Sequence, residues 1–264
     1  MNKELAILIG RLNDSIISES NVISWGCPIP SFGNISLSRI ATIGLNPSNR
    51  EFVDEKGNEL YGNGRRFETL NSLGLRTWSD AKDRDLKLIL KSCEEYFHRN
   101  PYNGWFKKLD HLISGTSISY YFPSGQACHL DLIPYATSKK WTELSKKQQA
   151  NLIINTSDTL GLLLTNSRIE LLILNGSTVV YNLEKISKVK FEKQYVSDWN
   201  LSRKTGKVEG YAFEGFINKV GGLFLNRSIK ILGYNHNIQS SFGVTKQVQT
   251  SIRDWISKKA KEIL

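Results

Sequence analysis

Four short apolar runs constrain this chain more than any other feature. They lie at residues 39–45, 127–133, 169–175 and 228–234, and each gives way to Asn, Asp, Gly or Ser near its carboxyl end. Runs of this length, bounded by turn formers, read as strands buried on both faces. Helical patterns separate them. Leu5, Leu8, Ile9, Leu12 and Ile16 predict a first helix through about residue 18, and Leu86, Ile89, Leu90 and Cys93 share a face within 80–97. Further helices are expected over 101–114, over 142–164 with Thr142, Glu143 and Ser145 as capping candidates, and over 245–263. Alternating strands and helices imply an α/β domain with three α/β/α layers around a central four-stranded, mostly parallel sheet. The whole chain, 1–264, reads as one domain. Residues 188–226 break the pattern with aromatic alternation (Phe191, Tyr195, Trp199, then Tyr211, Phe213, Phe216), which predicts an inserted β-hairpin.

Composition narrows the class. With 40% hydrophobic and 23% charged residues the chain can bury a substantial core. Thirty-five Lys+Arg against 25 Asp+Glu leave a formal charge of +10, which calls for an acidic partner. No apolar run approaches the roughly 20 residues that cross a bilayer, and the opening residues lack a signal-peptide cleavage region. The expectation is a soluble, cytoplasmic, prokaryotic protein with no membrane association, acting as a monomer. Cys27, Cys93 and Cys128 are distant from one another and show no CxxC spacing, and His98, His111, His129 and His236 form no paired ligand motif. Buried free thiols and chemistry without metal or cofactor are expected.

Open α/β sheets bind ligands beyond the carboxyl ends of their strands. The segments there are GLNPS at 44–48, HisLeuAsp at 129–131, AsnGlySer at 175–177 and GlyTyrAsnHis at 233–236. GLNPS resembles the water-positioning motif of the uracil-DNA glycosylase superfamily, particularly its Gly-x-Asn-Pro branches. HNIQSS at 236–241 resembles the superfamily's loop that enters the minor groove, and the order and separation of the two motifs also fit, so that the likeness spans residues 36–245. The resemblance implies that Asn46 holds the attacking water and His236 donates to the departing base. Hydrolysis of an N-glycosidic bond needs these two functions, an oriented water on one side and donors for an anionic leaving base on the other. GlyArgArgPhe at 64–67 resembles the segment that supplies a stacking ring, which nominates Phe67; the alternative is that Phe67 anchors the following helix in the core.

Two departures bear on the substrate. Where uracil-specific members carry an Asn that reads the base, this chain has Asp131, and a carboxylate accepts from a cytosine amino group but repels O4 of uracil. The alternative is an Asp paired with Lys139 or capping a turn. Where the strictest uracil enzymes carry a Tyr that blocks C5, this chain has Ser48 after Pro47, and these two residues would flank the base. The combination resembles antiviral glycosylases that excise glucosylated 5-hydroxymethylcytosine. The groove-entering loop lacks the family's prolines, leaving Ile238 or Phe242 as the wedge and Ser241 as a phosphate contact. Lys139, Lys140, Ser177, Arg65 and Arg66 are the remaining candidates for DNA contact, and phosphate contacts make binding salt-dependent.

The leading expectation is therefore a monofunctional DNA glycosylase for a C5-modified cytosine, with single- or double-stranded DNA as partner. A uracil or thymine mismatch glycosylase is the alternative within the class. A catalytically idle DNA-binding module is the alternative outside it. An unrelated doubly wound hydrolase is disfavoured, because neither GxxxxGK[ST] nor GxSxG occurs.

Overall fold

In the computed structural model the four apolar runs become four neighbouring parallel strands. The structure describes residues 1–100, 104–203, 206–239 and 243–264. The strands are β1 (Ile40–Gly44), β2 (Ala127–Asp131), β3 (Leu171–Asn175), β4 (Glu192–Tyr195), β5 (Leu201–Arg203), β6 (Gly206–Val208), β7 (Tyr211–Val220) and β8 (Leu223–Tyr234). The main sheet has the order β2-β1-β3-β8-β7-β4, with the first three pairs parallel and the last two antiparallel. It thus has six strands where the sequence predicts four. The segment read as an insertion adds β7 and β4 to the free edge of β8, and only β5 and β6 form a separate small hairpin. β8 itself begins at Leu223, so its first third belongs to what the sequence assigned to the insertion. Gly221 and Gly222 join β7 to β8 with φ of 56° and 90°, the positive values that a two-residue hairpin turn demands at both positions.

β1, β2 and β3 are buried throughout, which is why their sequences run apolar without alternation. The ten helices are α1 (Asn2–Arg11), α2 (Ser15–Ser18), α3 (Leu70–Leu73), α4 (Asp83–Glu94), α5 (Tyr96–Arg99), α6 (Gly104–Ile113), α7 (Lys146–Asn155), α8 (Thr159–Thr165), α9 (Ser177–Ser187) and α10 (Lys246–Ala260), counted among the described residues. One face of the sheet, with Ile40, Ala127, Ile173 and Tyr234, packs with α1, α4, α6 and α10. The other, with Ala41, Ile43, Leu130 and Leu172, packs with Leu160 and Leu163 of α8 and Val180 and Leu183 of α9. Helices therefore cover both faces. No helix among the described residues is long and apolar enough to cross a membrane.

Several predicted helices are divided. The run at 142–164 breaks into α7 and α8. Ser145 caps α7 by accepting from the Gln148 amide at 3.2 Å, and Asp158 at the break pairs with Arg11 of α1 at 2.7 Å. The first helix is interrupted before Asp14, whose carboxylate accepts from the Ile16 amide at 2.8 Å to start α2. Ser145 and Asp14 are thus local side-chain acceptors that start helices inside stretches where the apolar spacing alone runs on.

Candidate active site

The carboxyl ends of β1 and β2 stay paired past the strands, with the Leu132 and Ile133 amides donating to the Gly44 and Leu45 carbonyls at 3.2 and 3.0 Å. This sets the segment 44–48 beside Asp131 at the mouth of a cavity of ≈ 790 Å³. The cavity is lined by Asn46, Pro47, Ser48, Asp131, Arg66, Lys139 and Lys140, all singled out from sequence, together with Glu51, His129 and the rings of Phe32, Trp105, Phe106 and Trp141. Phe32 reaches it because its backbone bridges that of His129 in both directions at 2.9 Å.

Hydrogen-bond direction fixes the Asn46 amide. Thr137 Oγ1 donates its one proton to the Lys139 carbonyl at 2.7 Å, so whatever faces its lone pairs must donate. Asn46 Nδ2 does so at 3.0 Å and donates again to the Pro47 carbonyl at 3.1 Å. With the Nδ2 protons so directed, Asn46 Oδ1 is the acceptor that the side chain retains, the capacity needed to hold a water by its hydrogen. Ser48 accepts from the Arg50 amide at 3.2 Å and starts a short 3-10 turn that brings Glu51 inward.

Glu51 was not foreseen from the sequence. Its buried carboxylate takes the Tyr96 hydroxyl at 3.0 Å and Arg66 Nη1 at 3.3 Å. Burial raises its pKa above the ordinary carboxylate range, against the opposing pull of Arg66 and Tyr96. Arg66, expected as a phosphate contact, is held by this pair. Asp131 is only 5% exposed, and the one basic side chain with a nitrogen within 4.0 Å of it among the described residues is His129, whose Nε2 lies 3.5 Å from Oδ1. The alternative pairing with Lys139 does not form among these residues; Lys139 and Lys140 stand exposed on the rim. Gly44 makes the arrangement possible, since a Cβ there would lie 2.3 Å from Asp131 Oδ1 and 2.8 Å from His129 Nε2.

Other candidates fall outside the cavity. Phe67 is 1% exposed and stacks on Tyr96 at 5.3 Å and 15°, edge-on to Phe32; it is a core ring, the second of its two readings. A ring enclosed in this way offers no face to a base. Ile238 is 3% exposed within the core, so it cannot serve as a protruding wedge. His236 is equally buried and its Nε2 lies 2.6 Å from the Trp199 carbonyl, away from the residues that line the cavity. Ser177 Oγ donates to the Asn235 carbonyl at 3.0 Å, and Arg65 pairs with Glu68 at 3.4 Å. Ser241 and Phe242 lie outside the described residues.

The cavity thus joins a fixed amide acceptor, two buried carboxylates and aromatic walls beneath a cationic rim. Among the described residues no group of three His, Cys, Asp or Glu side chains is placed to hold a metal. Compared with known proteins, the chain matches no family model and no curated sequence.

Proposed function

We propose that this cavity hydrolyses an N-glycosidic bond in DNA, releasing a C5-modified cytosine and leaving an abasic site. The observation that carries the reading is the shared placement of Asn46 and Asp131. The amide keeps an acceptor for water and the carboxylate keeps an acceptor for an amino group, on adjacent strand ends that line one cavity. In the reaction the bond from the sugar carbon to the base nitrogen breaks with its electron pair on the base, the oxygen of water bonds to that carbon and keeps one hydrogen as the new hydroxyl, and the other proton passes through solvent to the departing base. Asn46 cannot take that proton and acts by orientation. Asp131 accepts from the exocyclic amino group of cytosine and disfavours uracil, which presents an oxygen there. The volume of ≈ 790 Å³ and the exposed Ser48 leave room for a substituent at C5. Lys139, Lys140 and Arg50 on the rim supply positive charge to phosphates. The protein acts as a monomer on DNA. His236 has no part in this version of the chemistry, since its ring nitrogen is engaged by the Trp199 carbonyl.

The test is base release from duplexes carrying uracil, cytosine, 5-hydroxymethylcytosine or glucosylated 5-hydroxymethylcytosine, read as strand breaks after alkali. Breaks at the modified cytosines support the reading. Breaks at uracil alone would leave a mismatch glycosylase, and DNA binding without any break would leave an idle binding module.

A further inference from the structure

His129 and Asp131 are two residues apart on β2 and share the face that meets the cavity. His129 Nδ1 is 2.7 Å from Thr42 Oγ1 on β1, and Thr42 Oγ1 also hydrogen-bonds the Tyr120 hydroxyl. Tyr120 is buried, and Thr42 is the one partner of its hydroxyl among the described residues, so donation to Thr42 is the arrangement that leaves the phenol proton satisfied. Burial raises the Tyr120 pKa well above that of an ordinary phenol, so the proton stays on the ring oxygen. In that arrangement Thr42 has its own single proton left for His129 Nδ1, and a neutral imidazole then carries its proton on Nε2. That nitrogen is buried without a hydrogen-bond partner among the described residues, and the nearest ionisable acceptor is Asp131 Oδ1 at 3.5 Å. Phe32, Trp105 and Phe106 pack around the imidazole with ring centroids 5.7, 5.3 and 5.3 Å from its own, so it has little freedom to turn away.

We infer that Tyr120, Thr42 and His129 form a buried hydrogen-bond relay that delivers an N–H to Asp131, making His129 the positioning residue that selects a cytosine-type base. An N–H directed at Oδ1 holds the carboxylate as an acceptor and leaves Oδ2 to take an exocyclic amino group. An unpartnered buried donor is costly, and closing the 3.5 Å gap to the carboxylate would remove that cost. The inference rests on the glycosylase reading for its substrate, but the relay itself is a statement about where one proton sits.

Two measurements separate these. Long-range proton–nitrogen NMR on the wild-type protein should show a protonated, pyrrole-type Nε2 and an unprotonated Nδ1 for His129; a proton on Nδ1 overturns the relay whatever the activity. The second compares His129→Gln with His129→Asn. Both amides can meet Thr42 or its surroundings, but only the longer Gln places an N–H near the Nε2 position. His129→Gln should keep most of the base release and the preference for cytosine-type over uracil-type bases. His129→Asn, at an unchanged melting temperature, should lose roughly 10- to 100-fold on cytosine-type bases and much of that preference. Equal rates and equal preference in both variants, with an active wild type, overturn the inference. A wild type that releases no base from any duplex removes the functional reading instead, and the NMR result then judges the relay alone.

Discussion

The two halves of the parallel sheet end in similar residues and in opposite conditions. At β1 and β2, Asn46 Oδ1 and the Asp131 carboxylate keep acceptor capacity directed to a cavity. At β3 and β8 the corresponding Asn and His side chains are engaged inside the fold. Asn175 donates to Gln239 Oε1 at 2.5 Å and accepts from the Ile238 amide at 3.1 Å, while His236 meets the Trp199 carbonyl. An Asn or a His beyond a strand is thus a candidate for chemistry only where the surrounding backbone has not already engaged it.

The sharpest way to break this contrast is Asn46→Ala. Loss of a water-orienting amide should cost roughly 100-fold or more in base release while DNA affinity, measured by fluorescence anisotropy, stays near wild type. Wild-type rates in that variant would leave the open end without a catalytic group. Asp131→Asn comes next, with an expected cost of about 1–3 kcal/mol of transition-state stabilisation on cytosine-type bases and a gain on uracil, read as the ratio of kcat/KM values. Gly44→Ala should lower the melting temperature through overpacking worth about 1–3 kcal/mol and should also lower activity, because the new Cβ collides with Asp131 and His129. His236→Ala tests the closed end. It should cost about 1–3 kcal/mol of stability in urea unfolding and leave kcat unchanged in the folded fraction. A stable variant with a collapsed kcat would instead show the two ends cooperating. The smallest effect is expected for Lys139→Ala, which should weaken binding to all sequences alike and reduce the slope of log affinity against log salt by about 1.

What the sequence disclosed and what it withheld divide along physical lines. The apolar runs marked all four parallel strands because strands covered on both faces carry no polar alternation. Asn46, Ser48, Asp131, Lys139 and Lys140 were legible because they follow strands whose ends define the mouth of the cavity. His129 was named only among the histidines and in the segment closing its strand, since its contact with Thr42 depends on a cross-strand register that no local pattern encodes. Glu51 was missed for a similar reason: its partners Tyr96 and Arg66 lie 45 and 15 residues away. Phe67 kept two readings because the ring of a Gly-x-x-Phe segment looks alike in sequence whether it faces a ligand or, as here, Tyr96. The sixfold sheet was hidden because β4 is exposed along its whole length and so lacks the apolar signature of its neighbours.

Cys27, Cys93 and Cys128 are all buried, and burial raises the thiols of Cys93 and Cys128 to about 12. Thiolate is the reactive species, so these sulfurs are slow nucleophiles at neutral pH. The native chain is therefore a quiet background for maleimide labelling. A cysteine introduced on the cavity rim, as in Lys140→Cys, would take a dye selectively and report occupancy of the cavity by fluorescence in the folded protein, with no need to delete a native thiol from the core.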